Sequence, residues 1–127
     1  MSINVLVVDD HEVVRSGLAC LFRGTEINVI GEAVDGNDAI EKTLQHKPDV
    51  VLMDIRMPEL DGLSALEKLQ ADSPGTPVVM LSTYDNPTYV ARGVALGAVD
   101  YVLKGSPREQ IVEAIQHAAT GGMGKSF

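Results

Sequence analysis

The sequence predicts an α/β fold: a doubly wound, five-stranded parallel sheet with five helices on its two faces. Three observations carry that prediction. Short apolar runs occupy residues 3–8, 27–30, 50–53, 78–81 and 99–103. Segments of helical period separate them, which is the signature of repeated βαβ units. The runs are continuous Val/Ile/Leu/Met stretches without polar alternation, as expected of strands covered by helices on both faces. Right-handed crossovers then wind the sheet in both directions.

Each helix has its own justification. The first presents Val14, Leu18, Leu21 and Phe22 on one stripe. The second follows the turn and cap cluster Asp35-Gly36-Asn37-Asp38 and carries Ile40 and Leu44 one turn apart. Leu63, Leu66 and Leu69 mark the third, which ends before Ser73-Pro74-Gly75-Thr76-Pro77. Asn86-Pro87 opens the fourth with a cap and a first-turn proline. That helix holds Gly93 in its middle, a cost of about 1 kcal/mol relative to alanine. Gly93 therefore marks either a weak, movable helix or a point of close packing. Ser106-Pro107-Arg108-Glu109 reads as a capping box for the fifth, whose stripe is Ile111, Ile115 and Ala118.

Length and composition narrow the function. The 127 residues suit one domain with one core, assigned to 1–120, with 121–127 as a tail or the start of a linker to a missing effector domain. A net charge of -8 argues against direct contact with nucleic acid or anionic lipid. Cys20 is the only cysteine, so an intrachain disulfide and a multi-cysteine zinc site are excluded, and it reads as a packing residue. Neither a secretory signal nor a run approaching the ~20 residues of a membrane span is visible. A cytoplasmic protein without membrane contact is expected.

The chemistry lies where the strands stop. Asp9 and Asp10 close the first run, Asp54 the third, Ser82 the fourth and Lys104 the fifth. In a parallel sheet these groups converge at one edge, where doubly wound sheets bind their ligands. A carboxylate at Asp54 can attack a phosphoryl group and hold it as an acyl phosphate. Both reactants are anionic, so positive charge is needed. Asp9, Asp10 and Asp54 offer oxygen ligands for Mg²⁺, and Lys104 offers a second cation. Ser82 can donate its hydroxyl to a phosphoryl oxygen.

Asp9-Asp10, the segment Met53-Asp54-Ile55-Arg56-Met57-Pro58-Glu59-Leu60-Asp61-Gly62, Ser82-Thr83 and Tyr101-Val102-Leu103-Lys104 resemble the receiver domain of two-component response regulators over about residues 3 to 120. The resemblance implies a flavodoxin-like sheet of order 2-1-3-4-5 and phosphorylation of Asp54 by a sensor histidine kinase. It implies Mg²⁺ held by Asp9, Asp10, Asp54 and the backbone carbonyl of Arg56. It makes Ser82 the switch hydroxyl and Tyr101 the ring that moves with it, changing the surface of the fourth helix, fifth strand and fifth helix. The texture around Val34-Asp35-Gly36 and Leu103-Lys104-Gly105-Ser106 is similar to NarL/LuxR-type regulators, which carry a DNA-binding effector and act in transcription. A homodimer on phosphorylation is compatible with that resemblance. Gly105 departs from it, standing where many receivers have a cis proline.

Other readings of these residues are bland or rival. Asp10 could cap the following helix, and His11 reads as a surface or helix-start residue. Asp61-Gly62 reads as turn chemistry, and His46 and His117 carry no signal. Arg56 and Tyr84 stand two residues after Asp54 and Ser82, where they could modulate phosphoryl lifetime. An aspartyl-phosphate hydrolase would need a second acid at position 56, which is arginine. Gly124-Lys125-Ser126 lacks the earlier glycine of a P-loop, since position 119 is alanine. A module that binds partners without phosphorylation is the remaining rival.

Overall fold

The computed structural model describes residues 2–55, 62–73, 75–82 and 87–120. Ten elements alternate strictly: β1 (Ile3–Val8), α1 (Glu12–Leu21), β2 (Ile27–Ala33), α2 (Gly36–His46), β3 (Val50–Asp54), α3 (Gly62–Asp72), β4 (Val78–Ser82), α4 (Pro87–Ala95), β5 (Asp100–Leu103) and α5 (Arg108–Ala119). The strands form one parallel sheet of order β2-β1-β3-β4-β5. The chain winds outward from β1 to β2, then crosses back to β3 and continues the other way. The order therefore reverses between β1 and β3, and a crevice opens beyond their carboxyl ends.

Side-chain alternation along the strands divides the core into two layers. Val5, Val7, Leu52, Val79, Leu81 and Val102 face Leu18 and Phe22 of the α1 segment and Ile111 and Ile115 of α5. Leu6, Val8, Val51, Met53 and Met80 face Ala39 of α2 and Leu63, Leu66 and Leu69 of α3. Each of these large aliphatic side chains contributes about 1.5–3 kcal/mol through burial. β3 is buried at every position, as its uninterrupted apolar run requires.

Some sequence expectations need correction. β2 extends to Ala33, because its pairing with β1 shifts register between Val5 and Leu6 and leaves Ile30 as an extra residue. The bulge lets a strand continue past a point where simple periodicity ends. Leu44 is exposed, because the inward face of α2 runs through Gly36, Ala39 and Thr43. Cys20 is exposed as well. It lies two residues, about 200° around the helix, from the buried Leu18. The capping box before α5 does not form: Pro107 occupies the cap position, and its carbonyl accepts from the amides of Gln110 and Ile111. Asp35 does cap α2, its carboxylate accepting from the Asp38 amide at 2.8 Å. Asn86 and Pro74 lie outside the described residues, as do Arg56, Tyr84, Asp61 and the tail 121–127.

Gly93 settles its own ambiguity. It is buried on the sheet side of α4, and an added Cβ would stand 3.8 Å from Met80 and 3.9 Å from Leu63 and Tyr101. Those are ordinary contacts, so packing does not demand glycine there. Gly62 is the reverse case. A Cβ on it would strike the backbone carbonyl of Asp54 and stand 2.7 Å from the Cα of Ile55. The Gly62 amide donates to the Ile55 carbonyl at 2.6 Å, so the start of α3 is pressed against the end of β3.

Candidate functional site

Four strand ends build the pocket. Val8 pairs with Met53, so Asp9 and Asp54 follow one residue later on neighbouring strands. The Asp9 amide still donates to the Ala33 carbonyl at 3.0 Å, which prolongs the ladder past β1. Asp54 is the last residue of β3, level with Leu81 of β4. Ser82 pairs with Leu103, and the Lys104 amide donates to the Ser82 carbonyl at 2.7 Å. That backbone bond keeps Lys104 in register without a proline after it. Among the described residues no peptide bond is cis.

Lys104 ties the two central strands. Its Nζ donates to Asp9 Oδ2 at 2.7 Å and to Asp54 Oδ2 at 3.2 Å, spanning the edge of the sheet from β5 to β1. Both carboxylates are buried, Asp9 at 1% and Asp54 at 5% exposure. Burial alone would raise the Asp9 carboxyl. Hydrogen bonds from Lys104 and from the His11 amide and ring outweigh it and hold that carboxyl below its usual range. Burial would likewise lower the Lys104 ammonium, but the Asp9 hydrogen bond and the Asp54 charge raise it above its ordinary value. The pocket is therefore built from ionised groups.

Asp9 divides its oxygens. Oδ2 faces Lys104, while Oδ1 accepts from the His11 amide at 2.9 Å and lies 3.0 Å from the His11 ring Nδ1. Asp10 Oδ1 lies 3.0 Å from the same ring nitrogen. Ligand atoms of Asp9, Asp10, His11 and Asp54 all fall within 4.8 Å of one another. Hard carboxylate oxygens so gathered, two of them buried, fit a small divalent cation such as Mg²⁺.

Ser82 is 1% exposed, and by alternation it follows Met80 on the α3 side of the sheet. Tyr101 is half-buried and packs against that same layer. The expected site residues thus form two groups. Asp9, Asp10, Asp54 and Lys104 meet directly, while Ser82 and Tyr101 stand on the alternation that leads to α3 and α4.

Three participants were not visible in the sequence. His11 joins the acidic group, where a lone histidine had read as surface. Arg15 donates from Nη1 to the Asp9 carbonyl at 2.7 Å and from Nε to Glu32 at 2.8 Å, bracing the ends of β1 and β2 from inside α1. Its position one turn after His11 was the available signal. Gly62 supports the Asp54 backbone, a role that its turn-like sequence context concealed.

A carboxylate cluster at the switch point of a 2-1-3-4-5 sheet, tied by a lysine from the last strand, defines the class of phosphoacceptor signalling domains rather than that of hydrolytic enzymes. Residues 5–116 match the family model described as the response regulator receiver domain, and the chain belongs to that family. It is 41% identical over 120 residues to the uncharacterized transcriptional regulatory protein YxjL of Bacillus subtilis, covering 94% of this chain and 55% of that protein. The signal receiver domain of NarL from Mycobacterium tuberculosis superposes with a TM-score of 0.89 at 36% identity, covering 94% of this chain and 98% of that one. A CheX–CheY–BeF3–Mg²⁺ complex from Borrelia burgdorferi contains a similar chain, with a TM-score of 0.84 at 28% identity and coverage of 90% and 87%. The chain spans about half the length of the curated relatives it matches. Among the described residues no helix is long and apolar enough to cross a membrane.

Proposed function

We propose that Asp54 is the phosphoacceptor of this receiver domain and that its cognate sensor histidine kinase is the donor. The observation that carries the reading is the Lys104 ammonium held between the buried Asp9 and Asp54 carboxylates. A carboxylate oxygen of Asp54 attacks phosphorus, the P–N bond of the donor phosphohistidine breaks, and the released imidazole takes up a proton. Asp9 keeps its charge during this step, and Lys104 moves its hydrogen bonds from the carboxylates to the incoming phosphoryl oxygens. Mg²⁺ bound by Asp9, Asp10, Asp54 and the carbonyl of Arg56 supplies charge neutralisation for the transferring group. The product carries about -1.5 to -2 charges where Asp54 carried one, by analogy with other phosphorylated side chains. Ser82 then donates to a phosphoryl oxygen, and Tyr101 follows toward the space beside it. The surface of α4, β5 and α5 shifts between two populations as a result.

The likeness to YxjL supports a role in transcription through an effector domain beyond residue 120, with 121–127 as the start of the linker. The receiver itself would make no contact with DNA. Kinase-dependent signalling places it in the cytoplasm, and the switched surface is available for homodimer formation.

Incubation with acetyl phosphate and Mg²⁺ is expected to add one phosphoryl mass to the wild type and none to Asp54→Ala. Equal labelling of both would remove Asp54 from the role. Labelling that persists in excess chelator would remove Asp9 and Asp10 from theirs. Partner binding that is identical for the wild type and Asp54→Asn under phosphorylating conditions would favour the phosphorylation-independent module.

A further inference from the structure

We infer that His11 is a cation ligand, and that it biases the acidic pocket toward divalent ions that accept nitrogen, such as Mn²⁺, over Mg²⁺. The inference rests on the reading of Asp9, Asp10 and Asp54 as the cation site and concerns which ion that site prefers. Because Lys104 occupies Asp9 Oδ2, it is Oδ1 that faces the mouth of the pocket. There His11 Nδ1 stands 3.0 Å from Asp9 Oδ1 and 3.0 Å from Asp10 Oδ1. Adjacent ligands around an octahedral ion with bonds of about 2.1 Å are themselves about 3 Å apart. Three donor atoms at that spacing, one of them nitrogen, describe one corner of such a shell.

The ring is held for this purpose by local geometry. The His11 amide is tied to Asp9 Oδ1, and His11 is the cap residue of α1 in an extended conformation, which folds its side chain back over the two aspartates. Its side chain is 63% exposed, so ion and solvent reach it freely. Coordination through Nδ1 requires the tautomer with hydrogen on Nε2. Mg²⁺ is a hard ion that favours oxygen and retains water, and it gains little from an imidazole. Later first-row ions bind imidazole well, and their affinity rises along the Irving–Williams order. One nitrogen in an oxygen site is therefore a selectivity element.

Electron spin echo spectroscopy of Mn²⁺ on the intact chain tests this, since directly bound ¹⁴N modulates the echo. The wild type is expected to show that modulation and His11→Ala to lose it. Mn²⁺ affinity should fall roughly tenfold or more, because loss of even a ligand's hydrogen-bonding partner costs that much, while Mg²⁺ affinity changes less than twofold. Bound Mn²⁺ without nitrogen modulation in the wild type would overturn the inference and leave the cation site standing. So would modulation that survives in His11→Ala, or an equal loss of affinity for both ions. Unchanged Mn²⁺ and Mg²⁺ affinity in Asp9→Asn would instead overturn the cation site itself.

Discussion

The two flanks of the pocket are held with very different firmness. On one side, β3 is buried along its whole length, and α3 buries Gly62, Leu63, Ala65, Leu66 and Leu69. On the other, β5 buries only Val102, and among the described side chains of α4 only Gly93 is buried, with Val94 58% exposed. Asp54 therefore sits on a rigid floor, while Tyr101 and α4 belong to a part with little apolar burial to resist movement. Local opening costs least where burial is least. A receiver needs both properties: an acceptor that stays in place and a neighbouring surface that can change. Lys104 joins them, reaching from the lightly held β5 to two carboxylates on the firm side.

Breaking the firm flank should have the largest effect. Leu66→Ala removes a fully buried side chain between α3 and the sheet and is expected to cost about 2–5 kcal/mol in urea unfolding. A loss below about 1 kcal/mol would show that α3 is no better anchored than α4.

Cutting the tie comes next. Lys104→Met leaves Asp9 and Asp54 buried without their cation and is expected to cost about 3 kcal/mol near neutral pH. The pH dependence has a definite sign. Asp9 is held below its ordinary value of 3.8, so its contribution is complete above that pH and is lost as pH falls through the lower folded value. Lys104 is raised above 10.5, so its contribution is complete below that pH and is lost as pH rises through the higher folded value. Unfolding free energy measured against pH should therefore decline at both extremes in the wild type, and Lys104→Met should flatten the acid limb. An unchanged acid limb would mean that the tie does not hold Asp9.

The smallest effect sharpens the contrast from the weak side. Gly93→Ala fits the available space and should stabilise α4 by up to about 1 kcal/mol. Hydrogen exchange should slow in α4 and stay unchanged in α3. Destabilisation would show that glycine is required there by contacts closer than those at Met80, Leu63 and Tyr101.

Much of this was legible in residue order. Apolar runs without alternation require strands covered on both faces, and β1 has the limits its run predicts. Polar residues at the ends of four such runs must meet if the strands are parallel, and Asp9, Asp54 and Lys104 do meet within hydrogen-bonding distance. These inferences depend on period and position, which one chain carries locally. The bulge at Ile30, the failed cap at Ser106 and the outward turn of Leu44 and Cys20 depend on which neighbour each residue met. Local propensity leaves such choices nearly balanced, and packing decides them.

The sequence by itself determined the fold class, the edge of the sheet where chemistry collects, and the identity of its acceptor, cations and carboxylates. Only the tertiary structure decided the division of Asp9 between Lys104 and His11, the support of Asp54 by Gly62, the brace of Arg15 and the unequal anchoring of the two flanks. The reason is physical. Periodicity reports which way a side chain faces its own sheet, while distances between residues 50 or 95 positions apart along the chain are set only when the whole core closes.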